Sequence, residues 1–183
     1  MAEDGQARAI AIVVMGTSGV GKTTAAEGIA KALGWPVAEA DEFHPQANID
    51  KMTSGTPLND EDRWPWLRAI RDWIGGEAAK GVSTVVTCSA LKRRYRDLLR
   101  EADADVRFVF LSADPALIGQ RIGGRSGHFM PPALLASQLA DLEPLEADEP
   151  GVKVSVEASP EEVVRLAVEG LGLDPARERL TKP

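Results

Sequence analysis

A glycine-rich loop between a buried strand and a helix is the feature that most constrains how this chain can fold. Residues 9–15 form a continuous apolar run rich in β-branched side chains, which predicts a strand buried on both faces. The next residues, Gly16–Thr23, match the pattern G-x-x-x-x-G-K-[ST], and an alanine-rich helical stretch follows them. This order of strand, loop and helix predicts an α/β fold whose first turn binds an anion.

The chemistry of this loop predicts a bound nucleoside triphosphate with Mg²⁺. Glycines let successive backbone N–H groups turn towards phosphate oxygens, and the positive end of the following helix adds to their field. Lys22 is expected to reach the β- and γ-phosphates, and the Thr23 hydroxyl to ligate Mg²⁺. A turn that serves only close packing is the alternative, which eight matched positions in the required context disfavour. The residues of this segment expected to bind the nucleotide are Gly16, Thr17, Ser18, Gly19, Val20, Gly21, Lys22, Thr23 and Thr24.

Short strand patterns alternate with helical patterns along the rest of the chain. We therefore predict a three-layer α/β fold with a mainly parallel sheet of five strands and helices on both faces. Residues 1–183 are interpreted as one domain, and the tail 174–183 as frayed. Stretches 41–62 and 124–131 lack a regular pattern and are interpreted as functional loops. The further elements expected are strands at 36–40, 83–88, 106–111 and 152–156, and helices at 64–80, 91–101, 115–123, 132–142 and 160–170.

Charge and cysteine content exclude several classes of protein. The chain has 21 basic and 28 acidic residues, a net charge of −7, which argues against a nucleic-acid partner. The single cysteine, Cys88, rules out a disulfide framework and is typical of a reducing compartment. No apolar run approaches the ~18 residues of a membrane span, and the first residues are acidic, unlike a signal peptide. We expect a cytoplasmic protein with no membrane partner.

The motifs of other triphosphate-binding classes are missing from the sequence. There is no N-K-x-D to read a guanine base, and no predicted strand ends in an aspartate of the Walker B type. Asp114 follows its strand by three residues and is interpreted as a helix N-cap. The remaining interpretation is a small kinase, in which the sheet presents an acceptor beside the phosphate loop and a short lid closes over both.

Polar residues after the second predicted strand are candidates for the acceptor site. Asp41 could orient an acceptor hydroxyl and take its proton. Asp41 and His44 fit a plain turn equally well, because Asp, His and Pro are common in turns. Arg63, at the start of the following helix, is expected to point back towards this loop. Segment 41–63 is therefore the candidate acceptor-binding segment.

A cluster of cations follows the third predicted strand. Residues 92–100 hold five basic residues and one acidic residue, a net charge of +4. On a helix, Lys92 and Arg96 share a face, which favours an anionic acceptor, whereas the other three arginines are interpreted as a solvated surface. Residues 141–162 carry eight acidic residues and one basic residue, and the net charge is compatible with anionic ligands if the fold keeps this acidic region apart from the basic cluster.

A second group of cations lies in a glycine-rich stretch. Residues 121–131 are expected to form a mobile lid, because spaced arginines on a closing lid can stabilise the charge that develops on a transferred phosphoryl group. Arg121 and Arg125 are the candidates for this contact, and Arg125 is assigned a catalytic role with Lys22 and Asp41. The alternative for Arg121 is pairing with a helix C-terminus.

Four segments together resemble the gluconokinases, the small P-loop kinases that phosphorylate D-gluconate with ATP. The resemblance spans about residues 10–145. The segments are MGTSGVGKTT, DEFHPQANIDKMTSGTPLNDEDRWPWL, CSALKRRYRDLLR and GRSGHFMPPALLASQLADLEPLE. The resemblance implies a nucleoside-monophosphate-kinase-like fold, ATP and Mg²⁺, transfer to the C6 hydroxyl to give 6-phospho-D-gluconate, and commonly a homodimer.

The resemblance also implies roles for individual residues. Arg121 and Arg125 would contact ATP. Ala40 stands where these kinases often have glycine, which bears on fine specificity. The residues implied to contact the sugar acid are Asp41, His44, Arg63, Lys92, Arg96, His128 and Gln138.

Without the resemblance, the residues indicate only an ATP-dependent kinase of a small anionic or polyhydroxylated acceptor. A kinase of shikimate or of a nucleoside monophosphate remains open on that reasoning. A nucleotide-binding regulator without turnover also remains, although such a protein does not need Lys22, Asp41 and paired lid arginines together.

Overall fold

A five-stranded parallel sheet forms the centre of the computed structural model, which describes residues 7–114, 116–118, 120 and 132–180. The strand order is β2-β3-β1-β4-β5, and all four neighbouring pairs are parallel. The predicted parallel sheet of five strands is therefore confirmed. The strands are β1 (Ile10–Met15), β2 (Val37–Glu39), β3 (Thr84–Thr87), β4 (Asp105–Ser112) and β5 (Gly151–Ser155).

Helices connect these strands and cover both faces of the sheet. None of the helices in the described part of the chain is both long and apolar enough to cross a bilayer. They are α1 (Lys22–Leu33), α2 (Gln46–Thr53), α3 (Asp60–Ala79), α4 (Arg93–Leu99), α5 (Pro132–Asp141), α6 (Pro160–Gly170) and α7 (Pro175–Leu180), with a 3₁₀ turn at Ala40–Phe43.

The side chains of β1 point alternately to the two faces of the sheet and so contribute to two separate layers of the core. Val13 and Met15 pack with buried side chains of α3 and α4, such as Leu67 and Leu99. The intervening residues, including Ile12, pack instead with α1 and α6. Since successive side chains of a strand point to opposite faces, one apolar strand supplies both layers. The three-layer prediction is confirmed.

Two segments are more regular than the sequence indicated. Helix α2 lies inside stretch 41–62, which was expected to be a loop. The expected frayed tail contains α7, whose Arg179 donates from Nε to the Ala32 carbonyl at 3.0 Å and from Nη2 to the Lys31 carbonyl at 3.2 Å. These carbonyls belong to the last turn of α1 and accept no further bond within it, so α7 is held by capping that helix.

Candidate active site

The phosphate loop connects β1 to α1 at the carboxyl edge of the sheet. Its glycines adopt the left-handed region that the turn requires, with φ of 145° at Gly16, 80° at Gly19 and 102° at Gly21. The Lys22 ammonium donates to the Gly16 carbonyl at 3.1 Å and to the Thr17 carbonyl at 2.9 Å. The lysine is thus folded over the loop, where phosphate oxygens would bind.

One backbone amide of the loop already faces an oxygen acceptor. The Ser18 N–H donates to Oε1 of Gln138, on α5, at 2.7 Å. Gln138 therefore contacts the phosphate loop, and its amide oxygen shows that the Ser18 N–H is directed at an acceptor.

A cavity opens between this loop and the carboxyl ends of β2 and β3. Ligands of open α/β sheets bind at this edge, where the strand order reverses. Among the predicted site residues in its lining are Lys22, Thr23, Asp41, His44, Arg63 and Gln138. Further lining residues are Ser18, Gly19, Gly21, Thr24, Glu39, Ala40, Met52, Leu58, Trp66, Thr87, Cys88, Ser89 and Leu91.

The end of β2 brings two carboxylates to the cavity. Asp41 is exposed in the 3₁₀ turn, and Glu39 accepts a 2.6 Å hydrogen bond from the Thr87 hydroxyl at its Oε2. The Thr87 oxygen in turn accepts from the Ala40 N–H at 3.2 Å. Sequence reasoning missed Glu39 and Thr87. Their position at the ends of two strands that flank the phosphate loop was the available signal.

His44 is held as a flat, neutral ring on the cavity wall. Its ring stacks on Trp66 with centroids 4.1 Å apart and 12° between planes, and the Trp66 indole N–H donates to the Ala40 carbonyl at 2.8 Å. Burial, and then the charge of Arg63, lower the pKa of His44 to about 4. The imidazole is therefore uncharged near pH 7.

Arg63 is the buried cation of the cavity, with 7% of its surface exposed. The capping box of Asn59 and Asp62 begins α3 and places Arg63 one turn into the helix. Its Nη1 donates to the Tyr95 hydroxyl at 2.8 Å and to Asp141 at 3.2 Å. Among the described residues, nothing accepts from Nε or Nη2, so two donors remain for an acceptor anion.

Lys92, predicted to contact the acceptor, is not among the residues that line the cavity. It is the N-cap residue of α4 in extended conformation, and its ammonium lies 3.5 Å from Asp60 and 3.9 Å from Asp141. The Tyr95 hydroxyl also donates to Asp60. This hydrogen bond, with Lys92 and Arg94, lowers the pKa of Asp60 below its ordinary value in spite of burial. Lys92 and Arg96 do not form the shared basic face that was expected, because their side chains bind different acidic residues.

The structure contradicts the expected contact of Arg96 with the acceptor. Arg96 is fully buried, and its Nε and Nη2 donate to the two oxygens of the buried Glu149 at 2.7 and 3.0 Å. Burial acts to raise the pKa of Glu149, but hydrogen bonds from Arg96 and the Glu146 N–H outweigh it and leave the pKa lowered. Arg96 also donates to the carbonyls of Ala90, Leu91, Glu143 and Pro144. It holds the segment after β3 and does not reach the cavity.

The fold does not keep the acidic region apart from the basic cluster. Arg93 pairs with Glu146, and its Nη1 and Nη2 both lie 2.8 Å from Asp148 oxygens. Residues 143–149 therefore lie along α4 and neutralise much of its charge.

A second, largely aliphatic cavity lies on the other side of the phosphate loop. It extends to the ends of β4 and β5 and to the start of α6. Its position beside the loop, and its apolar walls, fit the base of a nucleotide whose phosphates lie in the loop. The residues that line it are Val20, Gly21, Thr24, Ala25, Leu111, Gln120, Val156, Ala158, Pro160 and Val163.

Three predicted site residues, Arg121, Arg125 and His128, lie outside the described residues, as does lid segment 121–131.

Cys88 is buried in the cavity wall, and burial raises its pKa to about 12, so its thiol stays protonated.

Comparison with known proteins agrees with this geometry. A family model described as an AAA domain matches residues 12–145. A gluconokinase of Gluconobacter oxydans is 48% identical over 84% of this chain and 86% of its own length. A gluconokinase structure from Sinorhizobium meliloti is 47% identical with a TM-score of 0.79, covering 88% of this chain and 91% of that one. A sugar kinase structure from Janibacter is 50% identical with a TM-score of 0.88, covering 92% and 97%. The chain belongs to the gluconokinase family and has the α/β fold of a P-loop kinase.

Proposed function

We propose that this protein transfers the γ-phosphoryl group of ATP to the C6 hydroxyl of D-gluconate, giving 6-phospho-D-gluconate and ADP. The observation that carries the proposal is the cavity in which Lys22, Thr23, Asp41, His44 and Arg63 meet. One end of this cavity offers the phosphate-binding loop, and the other offers a carboxylate, a neutral imidazole and a buried guanidinium.

The nucleotide-binding end of the proposed site consists of the phosphate loop and the aliphatic cavity beside it. The backbone amides of the loop and Lys22 would bind the phosphates, and Val20, Leu111 and Val156 would pack on the base. Arg121 and Arg125 are proposed to reach the phosphates from the lid, with Arg125 stabilising charge in the transition state.

Mg²⁺ fits the oxygen donors present. The Thr23 hydroxyl lines the cavity with the carboxylates of Glu39 and Asp41, and hard oxygen ligands suit this ion. Thr23 is proposed to hold it, and the bound ion would neutralise phosphate charge.

The acceptor end supplies the proton transfer and the recognition of charge. In the proposed reaction the C6 oxygen forms a bond to the γ-phosphorus while the bond to the β–γ bridging oxygen breaks. The hydroxyl proton passes to the Asp41 carboxylate. Arg63 lines the cavity, and its Nε and Nη2 make no hydrogen bond to the described residues, so it is proposed to bind the gluconate carboxylate. His44, Gln138 and His128 are proposed as further contacts.

A coupled assay of ADP release tests the proposed reaction. D-gluconate should give the highest kcat/KM of a panel that includes shikimate and AMP, and ³¹P NMR should show phosphate on C6. Sorbitol is the matched control, because it keeps the hydroxyl chain of gluconate and has no carboxylate. Best turnover of shikimate or AMP would identify a different kinase, and ATP binding without acceptor-dependent ADP release would identify a regulator.

The substitution Asp41→Asn tests whether Asp41 is the general base of the reaction. The amide cannot take the hydroxyl proton, so kcat should fall about 10²-fold while the KM for ATP changes little. Glu42→Gln, at the neighbouring exposed carboxylate, is the control and should leave kcat unchanged. Wild-type turnover of Asp41→Asn contradicts the assignment.

The family resemblance also leads us to propose a homodimer in the cytoplasm. Light scattering of the purified protein tests the dimer, and fractionation of the source cells tests the location.

A further inference from the structure

A short chain of polar atoms runs behind the cavity wall from α3 through α2 to His44. Asn48 of α2 is buried, with 3% of its surface exposed. Its Nδ2 lies 2.8 Å from the Asp62 carbonyl oxygen and 3.2 Å from Nδ1 of His44. One amide nitrogen therefore contacts both a backbone carbonyl and an imidazole nitrogen.

The carbonyl determines the direction of every hydrogen bond in this chain. A carbonyl oxygen can only accept, so the side-chain atom of Asn48 that faces Asp62 must be the amide nitrogen. That nitrogen can only donate, so Nδ1 of His44 must accept and carries no proton.

We infer that Asn48 is a positioning residue that holds His44 in the tautomer protonated on Nε2, so that His44 donates a hydrogen bond to the acceptor and is not its base. Within residues 7–114, 116–118, 120 and 132–180, Nε2 of His44 makes no hydrogen bond. Because His44 lines the cavity, this N–H is left for a bound molecule.

The surroundings keep the ring neutral. The charged residues that line the cavity with His44 are Lys22 at the start of α1, Glu39 and Asp41 at the end of β2, and Arg63 of α3. Burial and Arg63 hold the pKa of His44 near 4, so the ring carries one proton at neutral pH.

The inference rests on the proposed function for the identity of the acceptor. Gluconate offers hydroxyl and carboxylate oxygens, which accept from Nε2–H. With its proton already on Nε2 and Nδ1 bonded to Asn48, His44 has no free lone pair for the attacking hydroxyl. Asp41 is then the group that takes this proton.

The tautomer can be measured without any acceptor. The chain has two histidines, so a long-range ¹H–¹⁵N spectrum of ¹⁵N-histidine-labelled protein at pH 7 contains two rings, and His128→Gln identifies that of His44. We expect the pure Nε2–H pattern for His44. A protonated Nδ1, or an exchange-averaged pair of nitrogen shifts, overturns the inference.

Variants at position 48 test whether Asn48 sets the tautomer. In Asn48→Asp the carboxylate accepts and cannot donate, so Nδ1 of His44 should become protonated. In Asn48→Ser the hydroxyl has a single hydrogen and cannot donate to both partners, so if it donates to the Asp62 carbonyl it can only accept from Nδ1, and the nitrogen shifts should move away from the pure Nε2–H pattern. An Nδ1 that stays fully unprotonated in the folded variants contradicts the role of Asn48. If neither variant folds, the tautomer of His44 in the wild-type spectrum supports or overturns the inference.

Kinetics provide the second measurement. His44→Phe keeps a ring to stack on Trp66 and removes the donor, so the KM for gluconate should rise about tenfold, the loss of one hydrogen bond. His44→Gln restores an N–H and should recover part of this loss, with the KM for ATP within about twofold in both. An unchanged gluconate KM in His44→Phe overturns donation. If the wild type instead phosphorylates another acceptor, the proposed function fails while the tautomer measurement still stands.

Discussion

The phosphate loop and the basic cluster at residues 92–100 differ in what supplies their positive field. In the loop, the donors are backbone N–H groups and a helix terminus, and their direction is set by glycines within the loop itself. In the cluster, the charge belongs to side chains, and a segment from elsewhere in the chain binds them: Glu149 pairs with Arg96, and Asp148 with Arg93. The anion-binding role predicted from a backbone motif therefore holds in the folded protein. The role of a cluster of charged side chains depends instead on partners far away in the sequence.

The largest expected effect is at the loop. Lys22→Met removes the cation that would stabilise phosphate charge, so kcat should fall by about 10³-fold or more. The Lys22 ammonium donates to the Gly16 and Thr17 carbonyls, so the free energy of unfolding should fall by about 1–3 kcal/mol, the loss of such hydrogen bonds. Steady-state kinetics and urea unfolding measure the two effects. Lys31→Met, an exposed lysine of the same helix, is the control, and comparable turnover of both variants would contradict a phosphate role for Lys22.

The elements of the fold that could be predicted are those whose signals lie in consecutive residues of the sequence. The strands and the loop were predicted because consecutive residues carry their signals, such as the apolar run 9–15. Helix α2 was missed because it buries only Asn48 and Met52, which gives no helical periodicity of apolar residues. The burial of Arg96 could not be predicted, since its partner Glu149 lies 53 residues further along the chain.

The second prediction concerns Arg96, where stability and not substrate binding should respond. Arg96→Leu leaves Glu149 buried without its partner, which should lower the free energy of unfolding by about 3–5 kcal/mol. The double variant Arg96→Leu/Glu149→Leu should recover part of this loss, because no charge is then left unpaired. Denaturant unfolding measures both. Wild-type stability of Arg96→Leu with a raised KM for gluconate would restore the original expectation of an acceptor contact.

A third prediction tests whether the backbone defines the loop. A Cβ at Gly16 would lie 2.9 Å from the Leu111 carbonyl oxygen, and φ of 145° is strained for other residues. Gly16→Ala should therefore cost about 1–3 kcal/mol of stability. Gly75→Ala is the matched control: it lies in α3 with open space around its Cβ and should stabilise by about 0.4–1 kcal/mol. Equal unfolding midpoints for the two variants would show that the loop tolerates a side chain.

The smallest effect is expected at Arg94, two residues from Arg96. Its side chain is 51% exposed and pairs with Asp60, which also accepts from the Tyr95 hydroxyl. Because Asp60 keeps that bond and water solvates the pair, Arg94→Ala should cost less than about 1 kcal/mol, and added salt should reduce the difference from wild type. Denaturant unfolding at low and high salt measures this. A loss comparable to that of Arg96→Leu would show that the cluster acts as one charged unit, and the distinction between its buried and solvated arginines would fail.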